Sequence, residues 1–360
     1  MRVLFLTRLF YPHIGGVERH VMELSKRLVE RGDEASVITE ADSHNFQFSI
    51  FNFQSNSNVK ILNKKTPGKI EIYRIPVGKD SWFKKFRIWQ WMWKHRELIS
   101  SADVVHCHDV FFWYLPFRFL FPQKKVFTTF HGYESYPISK KAIIVRKISE
   151  LLSFGNICIG DFIKKWYKTK ATFVSYGGVN AKNQKSKIKN QRLEKAREKY
   201  SAVFIGRLDE QTGILTYLKA VELIKKKIPG FKFTVIGEGR FKNKIPKDIE
   251  VLGFQERVEE YFPEFNFAFV SRYLSILEAI AAKRLVFALY DNPVKRDYLK
   301  MAPFAKFVII SNSEKELAEK VLFFLKNPDK EKELVDDAFN WVKNQTWEKV
   351  LQTYLNLWKK

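Results

Sequence analysis

Residues 202–220, AVFIGRLDEQTGILTYLKA, carry the pieces of an anion site. Val203-Phe204-Ile205 is a short apolar run suited to a buried strand. Gly206 then frees the backbone, Arg207 brings a fixed charge, and a polar turn ends at Gly213. From Ile214 the apolar residues Ile214, Leu218 and Val221 follow helical spacing. A helix that opens its N-terminal amides onto such a turn attracts phosphate, and an arginine adds a bidentate contact. The same pattern also suits an ordinary βα unit with a surface arginine, so the rest of the chain has to decide.

Other stretches carry polar groups at strand ends, where open α/β sheets bind ligands. Gly15-Gly16 follows the first apolar run, where a backbone could approach a ligand closely. Asp103-Val104-Val105-His106-Cys107-His108 and Val126–Phe130 with His131-Gly132 are further strand-like runs ending in polar residues. His106 and His108 share one face of a strand, but no third metal ligand is apparent nearby, and single histidines are more often structural. A later strand, Phe231–Ile236, closes on Gly237-Glu238-Gly239.

The elements that position these groups alternate strand and helix. Val3–Leu6 reads as a strand and a helix begins near Val17, with Val21, Leu24 and Leu28 on one face and Gly32 closing it. Val37–Thr39, Glu71–Ile75, Asn156–Ile159 and Phe173–Tyr176 read as strands, and Ile143–Leu152 as a helix. The second half repeats the rhythm through Glu250–Leu252, Phe267–Val270, Leu274–Ala282, Leu285–Leu289, Val308–Ile310, Glu314–Leu325, Asp329–Gln345 and a last amphipathic helix from Trp347. Both halves thus predict a doubly wound parallel sheet. Residues 181–200 are strongly basic and mark a linker or a solvated helix, which places a domain boundary near 171–181. The expected domains are 1–175 and 176–346.

With 360 residues and 46% hydrophobic residues, two cores are the better expectation than one. The formal charge of +24 suits an anionic partner such as a phosphosugar ligand or an acidic leaflet, or else a lysine-rich solvated surface. Between Ser81 and Leu98, Trp82, Phe86, Trp89 and Trp93 form a helical stripe flanked by Lys84, Lys85, Arg87, Lys94 and Arg96. That stretch fits an interfacial membrane helix, and somewhat better an aromatic face packed on the sheet. Cys107 and Cys158 lie in apolar runs without a disulfide pattern, as expected of a cytoplasmic protein, possible also on the inner membrane face. The N-terminal run, broken by Arg8, does not read as a signal peptide, and no 18-residue apolar run offers a membrane span. Nucleic-acid binding rests on charge alone, and a dehydrogenase lacks its G-x-G-x-x-G spacing.

Taken in order, Gly15-Gly16-Val17-Glu18-Arg19-His20, Asp103–His108, His131-Gly132, Gly177-Gly178-Val179-Asn180, Gly206-Arg207-Leu208 with Gly213, Gly237-Glu238-Gly239 and Leu277-Glu278-Ala279 resemble the GT-B-fold retaining glycosyltransferases, family 4 and group 1 type. The resemblance covers nearly the whole chain. It implies two Rossmann-like domains facing a cleft, with the C-terminal helix at about 347–360 packing back on the first. It also implies a nucleotide-sugar donor and a lipid-linked or polysaccharide acceptor. Arg207 and His131 would then serve the reaction, with Gly15, Gly16, Arg207, Gly237 and Glu278 binding substrate and no metal or other cofactor needed. The family usually carries a lysine where this chain has Thr212 and a second glutamate where it has Val270. Arg272, Lys242 and Lys244 are the candidate replacements for the lysine, and the other implied role is a catalytically impaired scaffold acting as a partner or regulatory subunit.

Overall fold

The computed structural model describes residues 1–13, 15–41, 58–62, 69–78, 83–180 and 200–360. The expectations for Trp82 and for the basic stretch 181–199 lie outside the described residues. By its internal contacts the chain divides into two compact units, Met1–Ser175 with Glu348–Lys360, and Tyr176–Trp347.

The first unit is built on strands β1 (Arg2–Thr7), β2 (Glu34–Glu40), β3 (Asn58–Leu62), β4 (Lys69–Ile75), β5 (Val104–His108), β6 (Lys125–His131), β7 (Asn156–Ile159) and β8 (Phe173–Ser175). Their order is β3-β4-β2-β1-β5-β6-β7-β8, parallel throughout except for β3, which runs antiparallel to β4 at the edge. Every residue of β5 is buried, as expected of a parallel strand covered on both faces. Helix α1 (Gly16–Glu30) buries Val21, Leu24 and Leu28, and Gly32 follows it at a φ of 90°, a left-handed turn that glycine adopts without strain.

The aromatic stretch forms two helices rather than one, α2 (Lys84–Lys94) and α3 (Arg96–Ser101), separated at His95. Ile88 and Met92 make the buried face of α2, whereas Phe86 and Trp93 stay exposed, so the stripe is not the side packed on the sheet. Trp89 has a different task. Helix α4 (Phe111–Leu120) contains Pro116, whose missing N–H would orphan the Phe112 carbonyl four residues back. The Trp89 indole N–H donates to that carbonyl at 3.1 Å and removes the cost. Helices α5 (Lys140–Leu152) and α6 (Phe162–Tyr167) complete the unit's internal run, and α5 starts on Ser139, whose hydroxyl accepts the Ala142 N–H.

The second unit carries β9 (Ser201–Ile205), β10 (Lys232–Ile236), β11 (Glu250–Gly253), β12 (Phe267–Phe269), β13 (Leu285–Leu289) and β14 (Val308–Ser311), all parallel, in the order β11-β10-β9-β12-β13-β14. Its helices are α7 (Ile214–Lys225), α8 (Tyr273–Ala281), α9 (Pro293–Lys300), α10 (Glu314–Lys326) and α11 (Pro328–Val342). Phe204, Tyr217, Phe233, Phe269 and Phe287 interleave in a core beneath α7 and α10. Among the described residues no helix is long and apolar enough to cross a membrane.

Helix α12 (Trp347–Trp358) returns the chain to the first unit and is held there by a buried polar relay. The Trp358 indole donates to His106 Nδ1 at 2.9 Å, and His106 Nε2 lies 2.7 Å from the Thr129 hydroxyl. That hydroxyl is 2.8 Å from the Tyr354 hydroxyl, which is 2.9 Å from His20 Nε2. Only the indole is obligately a donor, so it sets the direction of every proton in the row, with Tyr354 donating to His20. Tyr354→Phe cuts the row in its middle, removing one buried partner from Thr129 and one from His20. The expected loss is about 1–3 kcal/mol of stability, read from urea unfolding of the two proteins.

Candidate functional site

The turn after β9 is shaped by close backbone contact. An ideal Cβ on Gly237, whose φ is 145°, would fall 1.9 Å from the Gly206 carbonyl oxygen, and one on Gly239 would fall 2.6 Å from the Leu208 carbonyl oxygen. No residue other than glycine fits either place without moving backbone. Hydrogen bonds seal the two turns together: Gly206 N–H to Ile236 O at 3.1 Å and Leu208 N–H to Glu238 O at 2.9 Å. The result presents Arg207 with an exposed side chain at the mouth of the turn.

Asp209 orders what lies between Arg207 and α7. One of its oxygens accepts the Thr212 N–H at 3.1 Å, and the other pairs with Arg207 Nε at 3.3 Å. Thr212 turns inward, its hydroxyl shared between the carbonyls of Arg207 and Asp209 at 2.7 and 2.9 Å. It locks the turn and offers nothing to a ligand. Gly213, at a φ of 78°, then opens α7. Across the sheet, β12 pairs with β9 and delivers Arg272 at the start of α8. Arg272 donates to Gln211 Oε1 at 2.6 Å, so the helix that carries the buried Glu278 begins beside the Arg207 turn. Lys295 is buried against the Ser271 carbonyl, and burial followed by the charge of Arg272 lowers its ammonium well below the ordinary range.

In the first unit, the sheet face at β5 and β6 carries imidazoles. His106, His108, Thr129 and His131 project from one side because alternate strand residues do so, and β5 pairs with β6 in register. His20 from α1 meets the His131 ring edge-on at 5.3 Å. His108 Nδ1 and His131 Nε2 lie 2.9 Å apart and share one proton. The His131 backbone N–H donates to Asp109 at 2.9 Å. Arg146, itself buried, grips the following turn by donating to the Gly132 carbonyl at 3.1 Å and to Glu134 at 3.0 Å, its guanidinium 3.8 Å from the Tyr167 ring centre. Nothing in the sequence pattern marks Arg146 or Asp109. Asp209, three residues before Thr212, does follow a helix-cap spacing.

Gly15 precedes α1 in extended backbone, and Gly16 is the first residue of the helix. A Cβ on Gly15 would meet a Glu18 carboxylate oxygen at 2.5 Å, while Gly16 has open space around it. Glu18, in the first helical turn, is bonded to His13 Nδ1 at 3.1 Å. The N-terminus of α1 therefore already has a carboxylate beside it.

Residues 14–173 match the family described as Glycosyltransferase Family 4, and residues 185–341 match Glycosyl transferases group 1. No curated protein sequence matches the chain. Among solved structures, a glycosyltransferase from Rickettsia africae has a TM-score of 0.71 at 17% identity, with 99% of this chain and 97% of that one covered. Anabaena Alr3699/HepE in complex with UDP and glucose has a TM-score of 0.71 at 13% identity over 99% and 98%. WaaG, a glycosyltransferase involved in lipopolysaccharide biosynthesis, has a TM-score of 0.65 at 14% identity over 98% and 99%.

The imidazole cluster gives a pH signature. Burial lowers His20 to about 3, and burial with the His20 charge lowers His106 to about 3, from 6.5. An unfolded histidine binds its proton near 6.5, so between there and 3 the unfolded chain holds more protons and stability falls as pH falls. Urea midpoints should decline from about pH 7.5 to about pH 4.5. The decline should be shallower in His20→Gln, which still accepts from Tyr354 but does not titrate.

Proposed function

The chain belongs to the GT-B glycosyltransferases of family 4 and group 1 type, and on that footing we propose that it transfers a sugar from a nucleotide-sugar donor to a lipid-linked or polysaccharide acceptor, with retention at the anomeric carbon. The observation that carries the donor half of this reading is the glycine-enforced turn that exposes Arg207 ahead of α7. Departure of the nucleoside diphosphate builds negative charge on its phosphate oxygens. A guanidinium and helix amides fixed in advance stabilise that charge without reorganising, and they do so with protein groups rather than a metal. Glu278 accepts hydrogen bonds from the ribose, and Gly237, a glycine because the Gly206 carbonyl fills its Cβ position, shapes the turn that faces the diphosphate. His131, held by its His108 and Asp109 bonds, stands beside the transferred sugar. Gly16 gives a ligand access to the start of α1, where Glu18 has to yield to an anion. UDP and glucose in the Anabaena structure, and the lipopolysaccharide role stated for WaaG, support the donor and acceptor classes.

A panel of nucleotide sugars, scored by release of nucleoside diphosphate, tests the transferase. Release with one donor is expected, with kcat reduced about 10²-fold or more in Arg207→Ala. No release from any donor by the folded protein would leave the partner or regulatory role.

The acceptor side meets an acidic membrane surface, at the cytoplasmic face, through the stretch 81–98 and its neighbours. Helices α2, α4 and α5 pack side by side, and each leaves large apolar residues exposed: Phe83, Phe86 and Trp93, then Phe119 and Leu120, then Ile144, Ile148 and Leu151. Lys85, Lys94, Lys140 and Lys141 lie exposed on α2 and α5. Exposed aromatic and aliphatic residues edged with lysine match a leaflet of acidic headgroups. Co-sedimentation with vesicles containing acidic lipid is expected to weaken at least about fivefold in Phe86→Ala/Trp93→Ala, each of which removes apolar area. Trp89 is the wrong residue to alter for this purpose, because it supports α4. Equal binding by the double variant would remove the membrane surface from the reading.

A further inference from the structure

The geometry points to Arg272 as a second cation of the donor site, a contact to the leaving diphosphate supplied from the start of α8 rather than from the Arg207 turn. This inference rests on the donor reading above. Arg272 Nη2 donates to Gln211 Oε1 at 2.6 Å, and Arg207 Nη2 approaches the same oxygen at 3.4 Å. Two guanidinium groups therefore converge on one uncharged amide. Like charges so placed repel, and an anion with several oxygens is the ligand that turns the repulsion into paired attraction. Asp209 offsets Arg207 at 3.3 Å, whereas Arg272 forms no ion pair among the described residues. Its charge is therefore left for a ligand.

The other cations nearby are committed. Lys242 pairs with Glu238 at 2.8 Å. Lys244 lies over the Phe241 ring, 4.5 Å from its centre. Lys295 is buried with its amine on the Ser271 carbonyl and 4.5 Å from the Tyr298 ring centre. Thr212 could not serve, since its hydroxyl is spent on two carbonyls of its own turn. Arg272 is half-buried at the first position before α8 and its side chain caps nothing there, so its replacement removes no helix cap. Gln211 acts as a placeholder: its amide oxygen holds both guanidinium groups near the position that a diphosphate oxygen takes.

The test is calorimetric titration of the full chain with UDP, GDP and ADP, and with the matching nucleoside of whichever binds. Arg272→Ala is expected to weaken the diphosphate about tenfold or more while leaving the nucleoside unchanged, and Arg272→Lys should recover part of the loss. Lys242→Ala and Lys244→Ala should bind as the parent does, and thermal unfolding of each variant checks that the fold is kept. Parent-like diphosphate affinity in Arg272→Ala overturns this inference and leaves the donor reading intact. Equal loss for diphosphate and nucleoside overturns it too, because that marks a structural role. If the parent binds none of the three diphosphates, the donor reading falls and this inference with it.

Discussion

A carbonyl oxygen and an absent side chain determine the turn after β9. The Gly206 carbonyl occupies the space that any β-carbon on Gly237 would need, and the Leu208 backbone does the same to Gly239. Two loops that end adjacent parallel strands are thereby pressed into a single layer of backbone. The arginine emerges outward because the layer has no room inside for it. Everything downstream inherits this register: the Asp209 cap, the inward Thr212, and the left-handed Gly213 that releases α7. The exposure of Arg207 is a consequence of packing in the turn beneath it.

The first unit solves the opposite problem. It buries polarity instead of exposing it, and it can do so because its imidazoles stay uncharged. A neutral histidine offers one donor and one acceptor, and the row from Trp358 to His20 uses these in sequence without a leftover charge. His131 stands at the edge of this cluster, half-buried, with its backbone and ring both tethered. A histidine so fixed keeps a single orientation.

Much of the architecture was legible from periodicity alone. Apolar runs of four or five residues separated by helical patterns marked the parallel strands of both units, and the glycine-rich loops marked where they end. The misses have physical causes. Helix α4 was hidden by Pro116, because the remedy for its lost hydrogen bond comes from Trp89, on another helix. Helix α9 was missed although Asn292-Pro293 is a start signal, with the Asn292 side chain accepting the Lys295 N–H at 2.9 Å. Strand β3 pairs antiparallel at the sheet edge within a polar stretch that gave no alternation. The aromatic stripe on α2 misled in the other direction, since the smaller Ile88 and Met92 took the interior. At the site, Arg207 and the glycines could be named from sequence. The link from Arg272 to Gln211 could not, because it joins positions 61 residues apart.

The closing helix imposes an order on biosynthesis. Tyr354 and Trp358 finish the interior of a unit whose other residues are made before Tyr176. Until α12 is made, the first unit lacks the indole that donates to His106 and the phenol that stands between Thr129 and His20, so residues translated after the second unit complete its interior.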